Sequence, residues 1–152
     1  MPTDFTCQPL APEEAATVYP LVREVLPGLD LRTWLRFAKR IAHPRRDARE
    51  GIIVVTRRTR RMPCGLFIYH RDHDLATGQI LVAEHLVAVD VLDPEPVMRA
   101  LLAELDALAA RLECAAIRVV VFGEASQLAS GLRKAGHRDE GATMRKDVPG
   151  RG

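Results

Sequence analysis

The stretch Val87-Ala88-Val89-Asp90-Val91-Leu92-Asp93-Pro94-Glu95-Pro96-Val97-Met98 decides how this chain is read. An apolar, β-branched run ends there and a long amphipathic pattern begins, which marks a strand-to-helix junction. Such junctions hold phosphate in many α/β proteins, because the first amides of a helix have no partner inside it. Here the link Asp93-Pro94-Glu95-Pro96 carries two carboxylates and two residues without an amide hydrogen.

Downstream, Val97, Leu101, Leu105, Leu108 and Leu112 follow steps of three and four, with Arg99, Glu104, Asp106 and Arg111 mainly off that line. This predicts a helix to about Leu112. Ala116 to Phe122 reads as a buried strand, Ala125 to Ala135 as a short helix stopped by Gly136, and Ala142 to Val148 as a last strand. The tail from Pro149 to Gly152 is expected to be disordered.

Upstream, Gly78 to Leu92 is an apolar run too long to stay flat, and a bulge or bend is expected near Glu84-His85. Gly51 to Thr56 and Cys64 to His70 read as a hairpin across the basic link Arg57 to Pro63. Leu31, Trp34, Leu35, Ala38 and Ile41 share one helical face, and His43-Pro44 closes that helix. Phe5 to Leu10 is a short first strand, followed by a helix from Ala11 to about Val25 that Pro20 kinks or splits. Pro27-Gly28 ends it.

The resulting order, β-α-α-β-β-β-α-β-α-β, is a mixed α/β (α+β) fold: a mostly antiparallel sheet with helices on both faces. At 152 residues the chain fits one domain, with its core over about 5–148. Aromatic residues make up only 5% of it, which suits helices and aliphatic strands better than a small barrel. Cys7, Cys64 and Cys114 show no CxxC spacing and read as reduced and structural. No apolar run is long enough for a membrane span and the N-terminus lacks a signal-peptide pattern, so a cytoplasmic protein is expected.

The order of elements resembles the GNAT superfamily of N-acetyltransferases. So do Met98-Arg99-Ala100-Leu101-Leu102 opening a helix, Leu112-Glu113-Cys114 closing it, and Lys134-Ala135-Gly136-His137 beyond. The similarity spans Phe5 to Val148. It implies acyl transfer from acetyl-CoA or another acyl-CoA to an amine, with no metal. In that family a glycine-rich loop led by arginine or glutamine cradles the pyrophosphate. Its six positions fall here on Asp93, Pro94, Glu95, Pro96, Val97 and Met98, with no glycine among them. The family's asparagine aligns with Ala125, and the tyrosine that protonates the departing thiolate aligns with Leu132.

These departures describe a degenerate phosphate loop. Losing two charge-assisted hydrogen bonds costs roughly 3 to 6 kcal/mol, about two to four decades of affinity. The same residues suit a helix start, with Asp93 as N-cap, proline at the first position and Glu95 complementing the dipole. Because Pro96 disfavours helical backbone at Glu95, a start at Pro96 is the alternative reading.

By the same resemblance, the pantetheine arm of the cofactor pairs with the fourth strand over Leu86, Val87, Ala88 and Val89, and Val97, Met98 and Arg99 open the cofactor-facing helix. Glu84, flanked by Val82, Ala83 and Leu86, is the acid set within that apolar run and the candidate general base. Strand alternation or a bulge can instead turn Glu84 or His85 to solvent.

Other constellations carry less. His70, His73 and Asp74 have two imidazoles and a carboxylate but no fourth ligand nearby, and they read as a charged turn. Cys64 in an apolar strand reads as a small buried hydrophobe. Ten basic residues fall between Arg36 and Arg61. No aromatic residue interleaves with the Arg57 to Arg61 cluster, so a solvated surface is favoured over a nucleic-acid site. Trp34 and Phe37 fit either an acceptor groove or the core. Net charge is only +2, and nucleic acid is not expected as a partner.

Three functional readings follow: an acyl-CoA-dependent N-acyltransferase with weakened or lost cofactor binding, a non-catalytic binding or regulatory module on the same fold, and a basic nucleic-acid-binding module. The acceptor and the oligomeric state, a homodimer included, stay open.

Overall fold

The computed structural model describes residues 4–42, 49–90, 92–122 and 126–150. A five-stranded sheet runs in the order β1-β2-β3-β4-β5, formed by β1 Phe5–Pro9, β2 Glu50–Arg57, β3 Met62–Asp74, β4 Gly78–Ala88 and β5 Ala116–Val119. All neighbours are antiparallel except β4 and β5, which are parallel. The parallel step requires a crossover, and the helix α3 (Glu95–Arg111) supplies it.

Two apolar layers sit on the sheet. On one face Val97, Leu101, Leu105 and Leu108 of α3 pack on Ile53, Val55, Phe67, Leu81 and Ala83. The expected helical stripe is therefore the buried one. On the other face α1 (Tyr19–Val25) and α2 (Leu31–Ile41) bury Leu21, Val22, Trp34, Ala38 and Ile41 against Ile52, Val54, Leu66 and Val87. Successive residues of β2 alternate between these layers, which is why the run Ile52 to Val55 is apolar throughout.

Pro20 splits the first helical segment as expected. Pro12–Glu14 makes a single 3-10 turn, and α1 begins only at Tyr19, with Pro20 in its first turn where a missing amide costs nothing. Asp30 caps α2, its carboxylate accepting from the Thr33 amide at 2.7 Å. Trp34 is a core residue. Its Nε1 donates to the Ala15 carbonyl at 2.7 Å, which ties α2 to the preceding turn and removes the ring from any acceptor groove. Leu31 departs from its expected face and is exposed. His43-Pro44 lies outside the described residues.

The bulge expected near Glu84-His85 is present. Leu66 pairs with Val87 and Ile68 with Glu84, so two residues of β4 face Phe67 alone. His85 takes the strain with φ of 55°.

Several boundaries differ from the sequence reading: β3 runs on to Asp74, so that His70 and His73, read as a charged turn, lie in a strand, and β4 ends at Ala88. The helix α3 starts at Glu95, between the two expected starts, with Pro94 as N-cap and Pro96 inside the first turn. The strand β5 is short and half-exposed rather than buried, because it forms an edge of the sheet. Residues Ala142 to Val148 form no strand and are exposed along their whole length. The helix α4 (Ser126–Lys134) ends as expected, with Gly136 at φ of 98° beyond it.

Candidate functional site

The parallel pairing of β5 with β4 runs from Ile80↔Ala116 to Ala83↔Val119 and closes with the Val120 amide on the Ala83 carbonyl at 2.9 Å. Past Ala83 the bulge turns β4 away, and Glu84 to Ala88 pair only with β3. The sheet therefore splays open between β4 and the end of β5.

A cavity of about 630 Å³ opens between α3 and α4 and reaches Ala88 at the end of β4. From the junction and α3 it is lined by Asp93, Pro94, Glu95, Met98, Arg99, Leu102, Ala103 and Asp106. From α4 and its end it is lined by Gln127, Ser130, Gly131, Lys134 and Ala135. Their spacing follows from helical periodicity, since residues three and four apart share a face. At Gly131 the helices leave room for a small side chain, since a Cβ there would lie at an ordinary contact distance of 3.5 Å from Met98 Cγ.

Of the residues expected to meet a cofactor, Ala88, Met98 and Arg99 line this cavity. The side chains of Leu86, Val87 and Val97 do not, because each is buried in one of the two apolar layers. The Val89 amide donates to the Cys64 carbonyl at 2.7 Å, so it faces β3. In an antiparallel ladder the backbone groups alternate in direction. Val87 then also faces β3, and Ala88 turns its N–H and C=O toward the splay.

At the junction, Asp93 Oδ1 accepts from the Glu95 amide at 3.0 Å. Neither Pro94 nor Pro96 has an amide hydrogen, and the Met98 amide reaches back to the Pro94 carbonyl at 2.9 Å. Val97 is thus the one residue of the first turn whose amide neither proline chemistry nor Asp93 removes. Arg99 and Lys134 bring positive charge to the cavity wall, against Asp93, Glu95 and Asp106.

Strand alternation puts Glu84 on the face opposite Leu81 and Ala83, toward α1 and α2. Its carboxylate is about one-third exposed and lies 3.8 Å from His85 Nε2. The His85 ring stacks on Phe122, just past β5, with centroids 5.6 Å apart and planes 19° apart, so the pair bridges the mouth of the splay. Burial lowers the His85 pKa, opposed by the Glu84 carboxylate beside it. Leu132, at the family's tyrosine position, is buried in the α3 layer. Ala125, at the asparagine position, lies outside the described residues.

The remaining candidates have structural occupations. Asp74 Oδ2 accepts from the Ala76 and Thr77 amides and from the Thr77 hydroxyl, closing the β3–β4 turn, and its other oxygen faces Arg118 at 3.4 Å. No group of three or more metal-ligating side chains occurs among the described residues. Cys64 is buried with its thiol on the Val55 carbonyl, and burial pushes its pKa up. Burial likewise lifts the Cys7 thiol to about 11. In the basic cluster, Arg57 pairs with Asp90 and covers the Phe5 ring, while Arg58, Arg60 and Arg61 are exposed at the β2–β3 turn. No described helix is long and apolar enough to cross a membrane.

Sequence reasoning missed the α4 wall. The signal was available: Gln127, Ser130, Gly131, Lys134 and Ala135 form a small and polar stripe beside the apolar Leu128 and Leu132.

The fold has many solved counterparts. An aminoglycoside N-acetyltransferase, AAC(6')-Iy in complex with CoA, superposes with a TM-score of 0.80 over 95% of each chain at 10% identity. The same enzyme with the bisubstrate analogue CoA-S-monomethyl-acetylneamine gives 0.78 over 95% of this chain and 99% of that one, at 11% identity. Glucosamine-6-phosphate N-acetyltransferase from Arabidopsis thaliana gives 0.72 over 94% and 97%, at 12% identity. No sequence-family model and no curated protein sequence matches the chain.

Proposed function

On this GNAT fold, we propose that the chain binds the acyl-pantetheine arm of an acyl-CoA in the splay between β4 and β5 and transfers the acyl group to an amine. The observation that carries the proposal is the α3–α4 cavity, which reaches Ala88 on the stretch of β4 that lies past its pairing with β5. It offers one continuous path for a long, thin cosubstrate, and solved proteins of this fold bind CoA. Ala88 supplies backbone groups to the arm. Met98 and Leu102 supply apolar contact, and Arg99 and Lys134 supply the positive charge for the phosphates.

The amine approaches from the α1–α2 side, where Glu84 takes its proton. Its nitrogen attacks the thioester carbon, the carbon–sulfur bond breaks, and the thiolate leaves. Leu132 has no proton to give, so the thiolate is protonated by solvent. Binding is weaker than in relatives with a glycine loop, because Asp93 occupies the helix start as an internal anion. Acyl transfer to a panel of amines, including aminoglycosides and amino sugars, tests the proposal. Product formation that falls at least about a hundredfold in Glu84→Gln supports it. Absence of product with every amine at millimolar acetyl-CoA rejects catalysis.

The second reading is a non-catalytic module on the same fold, and the buried Leu132 together with the acids at the cavity mouth favour it. It predicts ligand binding in the cavity without turnover.

A further inference from the structure

Three chemically different side chains meet at the mouth of the splay, on the side turned away from α3. The bulge brings Glu84 and His85 together, with the Glu84 carboxylate 3.8 Å from His85 Nε2. On β5, Ile117 and Val119 pack on the α3 layer, and the pairing with β4 continues through the Val120 amide. Alternation then carries Phe122 to the opposite side, where its ring stacks on His85 with centroids 5.6 Å apart. An acid, an imidazole and a phenyl ring therefore follow one another across the mouth.

Phe122 is 58% exposed, so the stack on His85 leaves much of its ring open. An open aromatic surface close to a carboxylate attracts two groups at once. A flat ring is held by stacking, and an ammonium by the carboxylate charge and the ring quadrupole. The surrounding charge narrows the choice further. Residues 19–41, which lay α1 and α2 over this face, carry five basic side chains against Glu24 and Asp30. Such a surface repels a polycation, whereas one ammonium can be held by Glu84.

We propose that the acceptor is a monoamine carried on an aromatic ring: the ring stacks on the open part of Phe122, and the amine reaches Glu84 over a short arm. The proposal rests on the acyl-transfer reading of the same cleft and adds the chemical class of the amine. Bound as the ammonium, the acceptor gives one proton to Glu84 before its nitrogen attacks the thioester carbon. The nitrogen loses a second proton to solvent as the amide forms and the carbon–sulfur bond breaks. The departing thiolate takes one proton up from solvent.

Ligand-observed NMR titration of the full chain, in the presence and absence of CoA, tests the ring site without turnover. The probes are phenethylamine, its saturated counterpart 2-cyclohexylethylamine, and the polycations spermidine and kanamycin. Phenethylamine is expected to bind at least about threefold more tightly than 2-cyclohexylethylamine and at least about tenfold more tightly than either polycation. Phe122→Leu keeps an apolar side chain at an exposed position, so the fold survives, and it should bring the two ring amines within about twofold of each other. Phe122→Tyr should retain the preference. Equal binding of the two ring amines by the wild type overturns the proposal. So does a preference that Phe122→Leu leaves intact, tighter binding of either polycation, or no saturable binding of phenethylamine in either condition. Acetyl transfer from acetyl-CoA to the same amines separates this proposal from the reading beneath it. Phe122-dependent binding without transfer supports the ring site and rejects transfer, whereas transfer to a polycation but not to phenethylamine rejects the aromatic acceptor and leaves acyl transfer standing.

Discussion

Asp93 Oδ1 accepts the Glu95 amide at 3.0 Å, so the start of α3 is met by the chain's own carboxylate. Each acid near a helix start contributes roughly 0.3 to 1 kcal/mol of interaction with the dipole. Replacing both, as Asp93→Asn/Glu95→Gln, removes repulsion against an incoming pyrophosphate. Acetyl-CoA affinity should rise about three- to thirtyfold at low ionic strength, and the gain should shrink as salt is added. Calorimetric titration at two salt concentrations measures this, and an unchanged affinity speaks against a pyrophosphate lying at this junction.

Gly65 lies where β3 meets both β4 and α3. A Cβ there would sit 2.9 Å from Val97 Cγ1 and 3.0 Å from the Val87 carbonyl oxygen, and one of these contacts is rigid backbone. Gly65→Ala should therefore destabilise the fold by about 1 to 3 kcal/mol. Urea denaturation monitored by circular dichroism gives the value. A neutral result would mean that α3 sits farther from the sheet than described.

Gly131 presents the opposite case, in the interior of α4. Its added Cβ would make an ordinary contact with Met98 at 3.5 Å, and alanine is favoured over glycine in a helix by about 0.8 to 1 kcal/mol. Gly131→Ala is expected to raise the melting temperature by roughly 2 to 4 °C. A lower melting temperature would show that α3 and α4 lie closer together than described.

These contrasts also show what a sequence discloses. The helix from Leu31 to Ile41 was readable from its repeating apolar face, and the structure adds the Asp30 cap at the same start. The bulge at Glu84-His85 was readable because an apolar run of that length must bend. The start of α3 was not. Propensity pulled toward either Asp93 or Pro96, and packing of Val97 into the core fixed the phase of the helix instead. The expected last strand failed for a related reason, since a period-two pattern specifies a strand without specifying what it pairs with. The cavity wall on α4 was hidden because small and polar residues look the same on a solvated face as on one lining a pocket.

His85 links stability to pH. Burial lowers its pKa in the folded state, so the fold favours the neutral ring. That contribution is fully present above the ordinary histidine pKa of 6.5 and is lost as pH falls through the lower folded value. Wild-type stability should therefore fall more steeply below pH 6.5 than that of His85→Gln. Parallel pH profiles of thermal unfolding for the two proteins would contradict the partial burial of the His85 ring.

The most direct measurement is calorimetric titration with acetyl-CoA and with S-acetylpantetheine, repeated on Ser130→Trp, which fills the α3–α4 cavity from its wall. If the arm is held by the splay and the pyrophosphate anchor is weak, acetyl-CoA binds with a Kd of roughly 0.1 to 10 mM. S-acetylpantetheine then binds within about tenfold of it, and Ser130→Trp weakens both by at least about tenfold. No saturable binding of acetyl-CoA at millimolar concentration, or binding that Ser130→Trp leaves unchanged, would contradict a cosubstrate arm in this cleft.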